Sequence, residues 1–214
     1  MLLSIAFFPP VSYFALLAKD LTLSPDRVIP SVVHLEACEH YRKQSWRNRC
    51  RILSANGPLD LIVPVIHDAS MREAPITEIK VDYSTPWVAK MERAIASAYD
   101  TSACFDSYRD ELFAILDARP ETLFDLDLRI IRFFLSRTGM AVDFRLTGEY
   151  VRACTDDCRD VIHPKRPDTI LRDLGLEKPY FQVFARKYGF VEGLSIMDLV
   201  FNEGPDSIFY LKRL

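Results

Sequence analysis

The chain has 214 residues, 49% apolar and 27% charged, with 14 Phe, 9 Tyr and 2 Trp, a composition that excludes an intrinsically disordered protein. At this length about 70% of the extended-chain surface can be buried, which fits a single domain over residues 1–214. A net charge of −3 excludes a polycation built to coat nucleic acid, and five cysteines without a C-x-x-C pair point to reduced thiols rather than a disulfide scaffold.

Residues 2–8 form a nearly continuous apolar run, the pattern of a strand buried on both faces. Pro9-Pro10 ends it, and residues 11–18 read as a short helix, so the chain opens with a strand–turn–helix unit. This opening lacks the positive flank of a signal peptide and is too short and interrupted to span a bilayer. No later apolar run reaches about 18 residues. A cytoplasmic protein without a membrane span is expected.

Beyond a polar connection containing Pro25 and Pro30, residues 31–37 read as a second strand. Residues 46–54 and 59–65 flank Asn56-Gly57, a dipeptide that tolerates positive φ and marks a hairpin. Pro64 puts the second of these segments at an edge or gives it an early end. Residues 76–83 alternate as a further strand. The period changes at Thr85: helices are predicted over 86–99 and 121–137, the second with Leu123, Phe124, Leu128, Ile131, Phe134 and Leu135 on one face and Gly139 as its stop. Residues 141–146 alternate again, and short helices are predicted over 169–174, 179–188, 195–202 and 205–211. The pattern is an α/β fold: a mixed sheet with the N-terminal strand–turn–helix unit and a β-hairpin, helices packed around it, and a helical C-terminal third.

Positive charge concentrates in residues 40–51, where Arg42, Lys43, Arg47, Arg49 and Arg51 occur with no acid among them. Against a chain net of −3, the remaining residues carry −8. On a strand, Arg47, Arg49 and Arg51 would share a face at spacings of roughly 6.5–7 Å. Like charges that close repel unless an anion or water screens them, and guanidinium matches phosphate or carboxylate through paired hydrogen bonds. A solvated hairpin edge explains the same spacing. Asn48 interrupts the apolar opposite face, and a half-buried amide needs partners. A second cationic spot is His163-Pro164-Lys165-Arg166-Pro167, a loop stiffened by two prolines.

Other signals are weaker. Cys154 and Cys158 with His163 lack zinc-knuckle spacing. Asp125-Leu126-Asp127 opens a helix, where acids suit the dipole. No metal site is expected and the cofactor is left open. No Walker loop, G-x-G-x-x-G, H-E-x-x-H or G-x-S-x-G is present.

The segments Phe7-Phe8-Pro9-Pro10-Val11-Ser12-Tyr13-Phe14 and Tyr41-Arg42-Lys43-Gln44-Ser45-Trp46-Arg47-Asn48-Arg49-Cys50-Arg51-Ile52 resemble the WbqC-like family, bacterial proteins encoded near O-antigen and other surface-polysaccharide genes. Further matches are Asp82-Tyr83-Ser84-Thr85-Pro86-Trp87, Ile162-His163-Pro164-Lys165, Pro179-Tyr180-Phe181-Gln182-Val183-Phe184 and Leu194-Ser195-Ile196-Met197-Asp198-Leu199. More distant relatives begin with a glutamine-proline-rich turn, where this chain has Ser4-Ile5-Ala6. The opening unit is also similar to nucleotidyltransferases with a histidine-glycine-histidine signature, but those histidines are missing, which argues against adenylyl transfer.

The resemblance implies a role in polysaccharide biosynthesis and, with the cationic segment, a transferase-like enzyme (glycosyl or amino-acyl) acting on a nucleotide-linked or phosphorylated small molecule. Lys43, Arg47, Arg49 and Lys165 are the candidate phosphate ligands. Gln44 and Asn48 would orient the ligand, and Tyr13 and Trp87 would stack on it. His163 is the leading acid/base candidate, with Glu36 second. The competing expectation is a non-catalytic anion- or polysaccharide-binding module of the same pathway. No nucleic-acid partner is expected.

Overall fold

A computed structural model describes residues 1–24, 27–67, 71 and 73–213. Its centre is a parallel three-stranded sheet, ordered β1 (Leu2–Leu3), β4 (Ser31–Leu35), β7 (Val142–Leu146). The strand β1 is shorter than the apolar run that announces it. Residues 4–10 leave the ladder yet stay buried, because Ser4 turns into a polar network described below and Phe8 takes a left-handed φ of 39°. A phenylalanine holds that conformation only when packing over-determines it. Here the Phe8 ring is fully buried and edge-on to Phe7 and Phe134.

The helix α1 (Val11–Ala18) follows with every residue buried, and its crossover returns the chain to β4 parallel to β1. The connection expected around Pro25 and Pro30 contains an antiparallel pair, β2 (Thr22–Ser24) and β3 (Arg27–Ile29), although Pro25 itself lies outside the described residues.

The hairpin forms from β5 (Arg49–Ser54) and β6 (Gly57–Ile62). Ser54 pairs with Gly57, so the two-residue turn is Ala55-Asn56 and Gly57, at φ 104°, is the first paired residue. Two strand assignments change. Trp46, Arg47 and Asn48 precede β5 in a turn. Residues 76–83 form a 3-10 turn, Ile76–Glu78, with isolated bridges at Lys80 and Val81. Pro75 starts that turn, and Ile76, Ile79 and Val81 bury themselves at a spacing that serves a turn as well as a strand.

Helix α2 (Trp87–Tyr99) then packs against β5 of the hairpin, and α3 (Phe105–Asp117) packs against α2 and α4 (Leu123–Thr138). Thr122 caps α4 by accepting from the Asp125 N–H, and Gly139 ends it at φ 68°. In the C-terminal part, α5 (Ile170–Asp173), α6 (Ala185–Tyr188), α7 (Ile196–Glu203), a 3-10 turn at Gly204–Ser207 and α8 (Ile208–Leu211) follow in order. The helix expected over 179–188 is reduced to α6. The core is an aromatic cluster in which Phe134 meets Phe8, Phe14, Phe133 and Phe201, and Phe201 meets Tyr99 and Phe105. No helix among the described residues is long and apolar enough to cross a membrane.

Candidate functional site

A fourth parallel segment completes the sheet on the far side of β1. Leu2 bridges Asp157, with Leu2 N–H donating to Asp156 O and Cys158 N–H donating to Leu2 O, both at 2.9 Å. In space the order is β7, β4, β1, residues 156–158, so the chain leaves β1 in one direction and returns on its other side. Such a reversal of strand order opens a crevice beyond the carboxyl ends of β1 and residues 156–158, the usual ligand position in open parallel sheets. In this protein the crevice is lined by Ser4, Tyr13, Arg47, Arg159, Asp160 and His163 among others.

The floor of the crevice is a sealed ion pair. Arg47 Nε donates to Glu39 Oε1 at 2.9 Å, and its Nη2 reaches both Glu39 Oε2 and the Ser4 hydroxyl, the latter at 2.7 Å. Arg47 and Glu39 are 5% and 2% exposed. Ser4 Oγ donates to Glu39, and Tyr13 donates its hydroxyl to Ser4 O at 3.0 Å. Burial, then the charges of Asp127 and Glu39, push the Tyr13 phenol far above its ordinary pKa, so it is a fixed neutral donor. Asp127, on α4, is fully buried with neither carboxylate oxygen partnered among the described residues. Desolvation holds its carboxyl well above the usual range against the opposing pull of Arg47.

This floor cavity measures only about 30 Å³, room for one water-sized group. It widens past Trp46, Ile162 and His163 into a depression of about 160 Å³ that adds Arg51, Arg166, Asp168 and Glu192. His163 stands on the boundary. Its Nδ1 accepts the Lys165 backbone N–H at 3.2 Å, which leaves the proton of the neutral ring on Nε2. Partial burial, then Arg166, keep its pKa below the ordinary value.

The cationic segment is largely neutralised internally. Arg47 is held by Glu39, Arg42 by Asp160 at 2.9 Å, and Arg51 by a two-pronged pair with Asp60 directly across the hairpin. Arg47 therefore points into the core, not along the face that Arg49 and Arg51 share. The physical reason is that a guanidinium at the base of a closed crevice is stable only with a carboxylate beside it. Lys43 is exposed and Arg49 half-buried, and neither has a carboxylate partner among the described residues. Lys165 Nζ reaches Gln44 Oε1, which ties the proline-stiffened loop to the cationic turn.

Tyr13, Arg47 and His163 thus meet in one crevice, while Gln44 and Lys165 pair with each other outside its lining. The other candidates lie elsewhere. Asn48 donates to Val63 O at 2.9 Å and serves the hairpin. Trp87 is buried, stacks on Tyr83 and donates to Asp82 O. Glu36 is fully buried and accepts from Cys38 N, Thr147 Oγ1, Val151 N and Arg159 Nη1, so its lone pairs are spent on structure. Sequence reasoning missed Ser4, Glu39 and Arg159, whose roles come from distant partners.

The model of the WbqC-like protein family matches residues 6–166. The chain belongs to this family. The match contains most of the crevice, from Ala6 through Tyr13 and Arg47 to His163, and ends just before Asp168. A relative is an uncharacterized protein of Mycobacterium tuberculosis, Rv1507c, 26% identical over 195 residues, covering 80% of this chain and 84% of the relative. No solved structure matches the chain with significance.

Proposed function

We propose that this WbqC-like protein is a transferase-like enzyme of bacterial surface-polysaccharide biosynthesis whose crevice holds a phosphorylated, nucleotide-linked substrate. The supporting observation is the reversal of strand order beside β1, which places Tyr13, Arg47 and His163 around one opening at the carboxyl ends of parallel strands. The narrow floor admits a single small polar group, so the bulk of the ligand sits in the outer depression beneath the Lys165–Arg166 loop. Lys43, Arg49 and Lys165, which no carboxylate neutralises among the described residues, carry the phosphate charge. Arg47, neutralised by Glu39, fixes the shape of the floor from below and adds no net charge. His163, neutral with its proton on Nε2, donates a hydrogen bond to an oxygen that gains charge as the leaving group departs.

Nucleotides and nucleotide sugars should raise the melting temperature of the purified protein, and Lys165→Ala or Lys43→Ala should cut that shift by more than half. A panel in which no phosphate-bearing ligand shifts the transition overturns the reading. The sealed state of Glu36 favours one rival, a non-catalytic anion-binding module in the same pathway. Under that rival, ligand stabilisation persists but no turnover of any bound nucleotide sugar is lost in His163→Asn.

A further inference from the structure

Beyond Asp168 and Glu192, which line the outer depression, lies a second cavity of about 130 Å³. It rests on the first turn of α1 at Val11 and Ser12 and is walled by Tyr180, Phe190 and Tyr210. Tyr180 meets Phe190 edge-on at 5.1 Å and Tyr210 at 5.9 Å. The volume is close to that of an apolar cavity that accepts one benzene ring, so it fits one six-membered ring. It is built mainly by residues 168–210, outside the stretch matched to the family.

The polar groups at its neck differ in sign from those of the crevice. Asp168 accepts one bond on each oxygen, from Ser12 Oγ and the Ile170 N–H, leaving lone pairs free. Glu192 is exposed and has no cation partner among the described residues. Of the two lining cations, Arg172 is drawn to Asp173 at 3.6 Å, and Lys178 lies 4.6 Å from the Tyr210 ring. Behind the wall, Asp198 and Glu203 push the Tyr180 and Tyr210 phenols up, secondary to their burial. A free carboxylate beside aromatic faces attracts an organic cation twice over, by charge and through the ring quadrupoles. Lys178 over Tyr210 shows the chain using this attraction itself.

We infer that this cavity is the second-substrate subsite and takes a ring-bearing primary amine, its ammonium group at Asp168 and Glu192 and its ring among Tyr180, Phe190 and Tyr210. The inference rests on the reading above, in that the adjoining crevice supplies the phosphorylated partner. Together the two sites make a groove cationic at one end and acidic at the other, which sets the direction in which two substrates lie.

The test uses three probes of matched shape on the full chain: benzylamine, neutral benzyl alcohol and anionic benzoate, followed by ligand-observed NMR titration. Benzylamine should bind at least about tenfold more tightly than the alcohol, and benzoate more weakly than either. Glu192→Gln should reduce the preference for the amine to below about threefold while leaving alcohol binding unchanged. Asp168→Asn, whose amide oxygen still accepts from the Ile170 N–H while the Ser12 hydroxyl turns to accept from the amide nitrogen, is the second variant. Equal affinity for amine and alcohol, a preference for benzoate, or a preference that survives both substitutions overturns the inference. Because the probes carry no phosphate, these outcomes are independent of the nucleotide panel, and either reading can fail alone.

Discussion

Arg47 and Glu39 form an ion pair at the base of the crevice, eight residues apart in sequence and both closed to solvent. Removing one partner leaves an uncompensated buried charge, whereas replacing both with apolar groups of similar volume does not. Arg47→Ala should therefore lower stability by about 3–5 kcal/mol in urea unfolding, and the double variant Arg47→Met with Glu39→Leu should recover most of that loss. An Arg47→Ala protein of unchanged stability would mean that the pair does not seal the crevice.

Glu36 at the end of β4 gathers four donors, among them Arg159, whose side chain reaches the crevice. An amide in its place has one acceptor oxygen, so Glu36→Gln leaves buried donors unmet. The expected cost is about 1.5–3 kcal/mol, the range for bonds to a charged acceptor, with weaker nucleotide binding because Arg159, still paired with Asp157, loses the carboxylate at its Nη1. A variant that folds with wild-type stability and loses only turnover would restore Glu36 to the role of a base.

The local features of the fold are legible in the sequence, and the site is not. The helix α4 is announced by its apolar period, Thr122 and Gly139, and the hairpin by Asn56-Gly57, because each depends on neighbours within a few residues. The helix α3 gives no such signal, since it buries only Phe105, Leu112 and Leu116 among charged residues. The run of arginines reads as crowded only while Glu39, Asp60 and Asp160 stay invisible as partners. The crevice depends on one bridge, Leu2 to Asp157, across 155 positions, and a single bridge leaves no periodicity to read.

His163 is fixed by the Lys165 backbone N–H at its Nδ1. In free histidine the two neutral tautomers exchange, whereas here the Nε2–H form should dominate at pH 7.5. Ring-nitrogen chemical shifts report this without an assay. Its lowered pKa also predicts that the ring gains charge only below the usual value near 6.5. A dominant Nδ1–H tautomer would remove His163 as a hydrogen-bond donor to the crevice.

Asp198 on α7 accepts from Gln182 Nε2 at 2.8 Å and is almost wholly buried. Desolvation, partly offset by Tyr180, Tyr99 and Gln182, lifts its pKa to about 6. The folded state thus holds this proton more tightly than the unfolded chain, whose aspartate titrates near 3.9. The stability from this group is complete below the unfolded value, declines as pH rises through about 6, and is then constant. The decline is on the order of 2–3 kcal/mol. Asp198→Asn carries no such penalty, so its melting temperature relative to wild type should rise between pH 4 and 6 and level off by pH 7. Asp127→Asn should shift in the same direction, because burial raises that carboxyl against only the pull of Arg47. A melting-temperature difference that does not change with pH in either variant would show that the carboxyl is ionised in the folded protein and that water or a cation reaches it.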